Sequence, residues 1–341
     1  MEFYTDIKFY KQIDDVFFEI KKQKNKIIKI TDTTIAKIYP QIIDENTLII
    51  NSGEKFKDIN SVCKIIEFAL EKDLTRHDTF VGIGGGVICD LTAFASSIYK
   101  RGAKLHLIPT TLLAMVDAAI GGKTGCDHAG SKNMIGTFFP SHVLHIASNF
   151  VQSLNEKEFL SGLAEVIKTA LLYDKDLTEL LEKNSEKVLL RDKETINIMI
   201  EKCVIAKCKI VKEDLHEKHI RKQLNLGHTF AHALESISGL GNLTHGEAVA
   251  WGIARACQLS FNLNMCNESY KKRTFSLLEK YGFETKTKHP QTALEITSED
   301  FLTEMRKDKK NYNQKITVIL QNDLCDTEIL EVLDDDIKKV L

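Results

Sequence analysis

Short β-branched runs recur through the first half of the chain, each followed by a stretch whose apolar residues take helical spacing. Ile27 to Ile30, Thr47 to Asn51, Thr79 to Ile83, Leu105 to Ile108 and Val143 to Ile146 read as strands, with a helix over Ile59 to Glu71 among them. Segments long enough for crossover helices separate these strands, which predicts a parallel-type sheet with covering helices. Beyond about Leu154 the period changes. Glu156 to Leu172, Leu177 to Leu190, Thr195 to Lys212, Leu224 to Ser238 and Gly246 to Leu263 all read as helices. The pattern therefore predicts an α/β domain over residues 1–154 and a mainly α-helical domain over 155–341, with a boundary near Ser153 to Asn155. With four prolines and no flexible linker between the halves, packed domains with a cleft between them are expected.

Composition narrows the function classes. At 341 residues two domains are the default, and 43% hydrophobic with 28% charged residues supports a sizeable core. The net charge of −2, with lysines and acids interspersed, disfavours a nucleic-acid partner. Lysine-rich Glu19 to Lys29 reads as a solvated face. The eight cysteines are scattered, with no Cys-x-x-Cys pair, as suits reduced thiols. The start, Met-Glu-Phe-Tyr-Thr-Asp, lacks a signal-peptide pattern, and no apolar run reaches membrane-spanning length. A cytoplasmic protein with no membrane partner is expected.

Candidate chemistry is concentrated in a few places. Ten of the 18 glycines lie between Gly82 and Gly136, where backbone must turn tightly or approach a ligand. The run from Val81 to Asp90 follows a strand and opens a helix, the place where α/β proteins offer N–H groups to phosphate. It departs from Gly-x-Gly-x-x-Gly, since Val87 or Cys89 falls where the last glycine belongs, so a plain strand-to-helix turn stays open beside a dinucleotide site. Gly121-Gly-Lys-Thr124 imitates the end of a Walker loop, but Asp117 occupies a required glycine position and an ATPase is rejected. Asp117, Lys123, Lys132 and Asn133, set among small residues, suit an oxygen-rich anionic substrate. Arg221 could bind a carboxylate bidentately, and Lys202 and Lys207 precede it.

Three histidines fall between Gln223 and Glu247. His228 and His232 are four apart, which would stack them on one helical face as joint metal ligands, and His245 returns after a glycine-bearing connector. Zinc in catalytic sites commonly takes three protein ligands, so a carboxylate is sought. Glu165 is the best candidate, three residues before Lys168 on an apolar helix with little reason to carry charge inward.

The collinear motifs Gly84-Gly-Gly-Val-Ile-Cys-Asp90, Arg101-Gly, Pro109-Thr-Thr-Leu-Leu, Val116-Asp, Gly121-Gly-Lys-Thr, Lys132-Asn-Met-Ile-Gly, Ala164-Glu-Val-Ile-Lys, Leu224-Asn-Leu-Gly-His-Thr-Phe and His245-Gly-Glu-Ala-Val-Ala closely resemble the 3-dehydroquinate synthase family. The similarity runs from about Asn51 to Lys310. It implies a Rossmann-like nucleotide-binding domain ahead of an α-helical metal- and substrate-binding domain. The implied enzyme is a lyase of the shikimate pathway, and so of chorismate and aromatic amino acid biosynthesis. It would use NAD catalytically, with Zn2+ or Co2+, on a phosphorylated sugar acid. The product would be 3-dehydroquinate and phosphate, and the assembly a homodimer.

Carried over by motif, the resemblance makes Glu165, His228 and His245 the metal ligands and turns His232 into a catalytic, proton-handling neighbour. Asp117, Lys123, Asn133, Lys168, Lys207, Arg221 and Asn225 match substrate-binding positions, with Arg101 reaching phosphate from a neighbouring subunit and either Lys309 or Lys310 contributing. For NAD the matching positions are Gly53, Glu54, Lys57, Gly85, Gly86, Val87, Asp90, Thr110, Thr111, Lys123 and Lys132. Two departures touch this part of the pattern: Cys89 replaces a glycine in the diphosphate turn, and Asp127-His-Ala-Gly-Ser131 replaces an Asn-His-Pro-x-Gly sequence.

Three alternatives compete. Another sugar-phosphate cyclase would share fold and cofactors, but a substrate without a carboxylate would leave Arg221 lacking its partner. A metal-dependent polyol dehydrogenase would accumulate NADH, whereas the cyclase would not. A structural or metal-storage protein would have no use for the lysine, arginine and asparagine cluster.

Overall fold

The computed structural model describes residues 5–239, 242–290, 292, 296–307 and 316–341. They form two compact units, one of Met1–Asn155 with Lys207–Glu217 and the other of Glu156–Ala206 with Lys218–Leu341.

The first unit is built in the order β1 (Asp6–Tyr10), α1 (Ile13–Lys21), β2 (Ile27–Asp32), α2 (Thr33–Ile38), β3 (Thr47–Ile50), α3 (Ile59–Glu71), β4 (Thr79–Gly84), α4 (Gly86–Ile98), β5 (Lys104–Pro109), β6 (Lys123–His128), β7 (Ser131–Phe138) and β8 (Val143–Ala147). Six of these strands make one sheet in the order β1-β8-β5-β4-β2-β3, and every pairing is parallel. β4 is buried at all its positions, as a central parallel strand with both faces covered must be. The chain steps outward from β2 to β3 on one side and from β4 to β5 on the other. The crevice beyond the carboxyl ends of β2 and β4 is thus a topological switch point, where open α/β sheets bind ligands. Gly84 ends β4 there, and Gly85 is the N-cap of α4 with no side chain to cap its first N–H groups.

Two features were not read from the periodicity. β1 joins the sheet edge beside β8, and the stretch carrying Lys123, Lys132 and Asn133 is an antiparallel hairpin of β6 and β7. Before that hairpin, Ala114–Ala118 forms a single π-helical turn carrying Asp117, a local device common at functional sites.

The second unit comprises α5 (Glu156–Tyr173), α6 (Lys175–Lys183), α7 (Ser185–Leu189), α8 (Lys193–Glu213, whose residues from Lys207 belong to the first unit), α9 (His228–Ser238), α10 (His245–Asn262), α11 (Glu268–Lys280), α12 (Ser298–Lys307), the antiparallel hairpin of β9 (Ile316–Asp323) and β10 (Asp326–Val332), and α13 (Asp334–Lys338). Among the described residues no helix is long and apolar enough to cross a membrane. The helix expected over Leu177 to Leu190 is two, α6 and α7, divided at Asn184. The one expected from Leu224 begins only at His228, because Ile220–Asn225 is a short 3-10 segment and Gly227, at φ 78°, is the N-cap from which α9 starts.

α5, α9 and α10 meet at backbone distance. A Cβ on Gly246 would stand 2.2 Å from the Ser161 carbonyl oxygen on α5, and one on Gly252 would stand 2.1 Å from the Gly227 carbonyl oxygen. The start of α10 is fixed further by a capping box: the Thr244 hydroxyl accepts from the Glu247 N–H, and the Glu247 carboxylate accepts from the Thr244 N–H at 2.7 Å.

Candidate active site

In the second unit these contacts converge three ligand-bearing residues. Glu165 lies mid-way along α5, His228 opens α9 and His245 opens α10. One ligand atom from each lies within 4.8 Å of the others. Nε2 of His228 is 3.7 Å and Nε2 of His245 3.5 Å from Oε1 of Glu165. Both separations are too long for a direct hydrogen bond. They match the ligand-to-ligand edge of a tetrahedral zinc site, about 3.4 Å for metal bonds near 2.1 Å. The donor set, one carboxylate and two imidazoles, is one that zinc and cobalt both accept, so these three side chains could hold a divalent ion.

The surroundings orient each group. Nδ1 of His228 lies 3.2 Å from the Leu226 carbonyl oxygen. Nδ1 of His245 lies 3.6 Å from Oε1 of Glu235, a residue not singled out from the sequence. Burial works against a charge on His245, but the flanking Glu165 and Glu235 carboxylates outweigh it and push the pKa up to about 10. Glu165 and Lys168 are 1% and 2% exposed and form an ion pair within one turn of α5, so the charges carried inward on this apolar helix meet each other.

His232 is on the same helix as His228, their ring centroids 5.4 Å apart and edge to face, and its centroid is 6.4 Å from that of His245. It is not in the three-residue group. Four-residue spacing placed it beside His228, and the return of α10 brings His245 to the same spot. Arg221 is buried in the 3-10 segment, and Asn225 closes that segment with its amide donating to the Lys222 carbonyl.

The first unit gathers a second set. Lys57 Nζ donates to Asp90 at 2.7 Å and to Asn133 Oδ1 at 2.6 Å. Burial opposes the charge on Lys57, yet Asp90 and Glu54 hold it above the ordinary lysine range. Asn133, read from the sequence as a substrate residue, therefore touches the lysine read as a cofactor residue. Lys207 Nζ meets Asp117 Oδ1 at 2.5 Å, and Lys123 pairs with Glu217. Gly85, Gly86, Val87 and Asp90 line the start of α4, and Thr110 and Thr111 follow β5, with the Thr110 N–H donating to the Gly84 carbonyl. Gly53 and Arg101 take positive φ, 111° and 65°, while Glu54, Lys132 and Arg101 are exposed. Cys89 is turned into the core under the glycine turn, its thiol pushed up by burial and 3.7 Å from the Gly84 carbonyl oxygen. Lys309 and Lys310 lie outside the described residues.

The family profiles described as 3-dehydroquinate synthase N-terminal and C-terminal match residues 47–161 and 162–311. The 3-dehydroquinate synthase of Shewanella frigidimarina is 35% identical, over 96% of this chain and 92% of its own. That of Dictyoglomus turgidum is 37% identical over 92% and 87%. The chain belongs to the 3-dehydroquinate synthase family.

Solved structures agree on the family's fold. A 2-epi-5-epi-valiolone synthase from Streptomyces hygroscopicus, solved with NAD+ and Zn2+ bound, superposes with a TM-score of 0.90 at 23% identity, covering 100% of this chain and 96% of that one. A 2-deoxy-scyllo-inosose synthase complexed with carbaglucose-6-phosphate, NAD+ and Co2+ gives 0.85 at 20%, covering 100% and 98%. A probable glycerol dehydrogenase from Sinorhizobium meliloti gives 0.69 at 12%, covering 99% and 96%. At these identities the likeness is one of fold.

Proposed function

We propose that this chain is a 3-dehydroquinate synthase, a phosphorus–oxygen lyase that converts 3-deoxy-D-arabino-heptulosonate 7-phosphate into 3-dehydroquinate and phosphate in the cytoplasm, as a homodimer. The observation that carries the proposal is the set of buried Glu165 and His228 with half-buried His245, spaced for one divalent ion, in a chain of this family. When bound, NAD would supply reversible hydride acceptance, and Zn2+ or Co2+ the Lewis acidity that lowers the pKa of a substrate hydroxyl.

The chain's own side chains then have distinct tasks. Phosphate leaves by β-elimination next to a carbonyl, so the enzyme must hold the phosphate and manage the proton it departs with. Lys123, Asn133, Lys207 and Arg101 suit the phosphate and ring oxygens, Arg101 from a neighbouring subunit. Asp117 keeps the Lys207 ammonium in place at 2.5 Å. Arg221 suits the substrate carboxylate, to which a guanidinium binds bidentately. Lys168, held against Glu165, offers an ammonium to the substrate hydroxyl, and His232 accepts or returns a proton. Asn225 adds a neutral donor. Either Lys309 or Lys310 completes the substrate set. Gly53, Glu54, Lys57, Gly85, Gly86, Val87, Asp90, Thr110, Thr111, Lys123 and Lys132 are proposed for NAD. Elimination is followed by ring opening and intramolecular aldol closure of the same bound molecule, for which a tightly held substrate is the main requirement.

The test is incubation of the purified protein with NAD, zinc and the heptulosonate phosphate, following phosphate, dehydroquinate and absorbance at the NADH band. Equimolar phosphate and dehydroquinate with no lasting NADH are expected. Accumulating NADH would point to a dehydrogenase, and no product from folded, zinc-loaded protein would refute the reading.

A further inference from the structure

We propose that Glu235 is the positioning residue of this ion site: its carboxylate, 3.6 Å from Nδ1 of His245, attracts that edge of the ring so that Nε2 faces Glu165. The inference rests on the ion site proposed above and concerns a residue outside the ligand set.

A neutral imidazole carries one N–H, and only its other nitrogen can bind a metal, so whatever accepts the N–H selects the nitrogen that is offered. The two histidines here are arranged alike. Each turns Nε2 to the same oxygen of Glu165, at 3.7 Å from His228 and 3.5 Å from His245, and each sets Nδ1 beside an oxygen acceptor. For His228 that acceptor is the Leu226 carbonyl at 3.2 Å, fixed by backbone next to the Gly227 turn. His245 is the first residue of α10 and faces the Glu235 carboxylate at 3.6 Å.

Helical geometry explains why Glu235 can reach. It lies seven residues after His228 and three after His232 on α9, so all three share one face of the helix. Its side chain is 13% exposed, which keeps the interaction in a poorly screened setting. The other nearby carboxylate in sequence, Glu247, is committed elsewhere: it accepts from the Thr244 N–H at 2.7 Å and the Thr244 hydroxyl at 2.8 Å as the cap of α10. A carboxylate behind an imidazole also makes it a stronger ligand and reduces the net positive charge of the loaded site.

The experiment measures metal affinity apart from turnover. Metal-free wild-type protein and Glu235→Gln are titrated with zinc against a chromophoric chelator, and the cobalt-loaded forms are compared by visible absorption. The Gln variant should bind zinc about 10- to 100-fold more weakly, the loss typical of removing such a partner, with an altered cobalt band. Glu235→Asp, which keeps the charge but shortens the reach, should weaken zinc in the same direction and serves if the Gln variant does not fold. Zinc affinity within twofold of wild type and an unchanged cobalt spectrum would overturn the assignment of Glu235. Normal zinc affinity in wild type without dehydroquinate formation would overturn the proposed function and leave Glu235 standing.

Discussion

Replacing Gly246 by alanine sets two well-defined effects against each other. Alanine is the better helix former by roughly 0.5–1 kcal/mol, and Gly246 lies in the first turn of α10, so propensity alone predicts stabilisation. Packing predicts the reverse. The new Cβ would stand 2.2, 2.3 and 2.6 Å from the carbonyl oxygen, Cα and carbonyl carbon of Ser161. Main-chain atoms of a buried helix cannot swing aside as a side chain can. Relief to ordinary contact requires the start of α10 to move from α5 by roughly 1 Å, and overpacking of this kind costs about 1–3 kcal/mol. The same shift would also break the hydrogen bond from the Gly246 N–H to the Ser161 hydroxyl at 3.1 Å. It would stretch the 3.5 Å span between His245 and Glu165 beyond the roughly 3.4 Å edge that one zinc ion bridges. A displacement of that size costs on the order of 100-fold in rate. Gly246→Ala should therefore lower the denaturation midpoint of the metal-free protein, weaken zinc in a chelator competition, and reduce kcat/KM by about two orders of magnitude. Adding Ser161→Gly should not rescue it, because the obstruction is main chain. Wild-type zinc affinity and rate in Gly246→Ala would refute the steric argument.

Other perturbations test neighbouring parts of the reasoning. His245→Ala should abolish tight zinc binding and turnover together, and a zinc titration with retained affinity would remove His245 from the ligand set. Lys168→Met should leave zinc bound but cut turnover by at least about 100-fold. It also leaves the buried Glu165 carboxylate without its ammonium, so the metal-free variant should lose about 3–5 kcal/mol of stability, and zinc should restore more of it than in wild type. A separate pH effect arises in the sheet, where half-buried Tyr10 and the buried His145 and His106 form a chain with contacts of 2.8 and 3.2 Å. Burial, with neighbouring positive groups, pushes His106 down to about 4 and His145 down to about 3. Both are neutral in the folded state and take protons more readily when unfolded, so their contribution is present above pH 6.5 and is lost as pH falls toward 4. The slope should approach about 1.4 kcal/mol per pH unit for each histidine that titrates. Urea midpoints at pH 7 and pH 5 should thus differ more for wild type than for His145→Gln, and equal differences would contradict the account.

The parts of the molecule legible in the sequence are those where one segment carries its own signal. The β4–α4 turn was visible because its apolar strand, glycines and following helix are contiguous. β1 was not, because Asp6–Tyr10 is a partly exposed edge with polar and aromatic residues interleaved. The β6–β7 hairpin escaped for a related reason, since β7 is exposed along most of its length and has no apolar alternation to reveal it. At the ion site, helical spacing showed that His228 and His232 share a face, but not that α10 would bring His245 beside the first of them and set it against Glu235 of α9. Sequence distance also hid the Lys207–Asp117 contact, which spans 90 residues.

That last contact has a consequence for how the polypeptide is made. The α/β unit includes Lys207–Glu217, in which Lys207 anchors Asp117 and Glu217 meets Lys123. A ribosome that has released Asn155 has therefore not yet supplied everything this unit needs. About sixty further residues must emerge, roughly 3 to 12 s at ordinary bacterial or eukaryotic elongation rates, and most of α5 through α8 are threaded out in that interval. A gene cut at the apparent boundary would encode a sheet whose Asp117 turn has lost its tether, so an expressible N-terminal half is the fragment least suited to stand in for the whole.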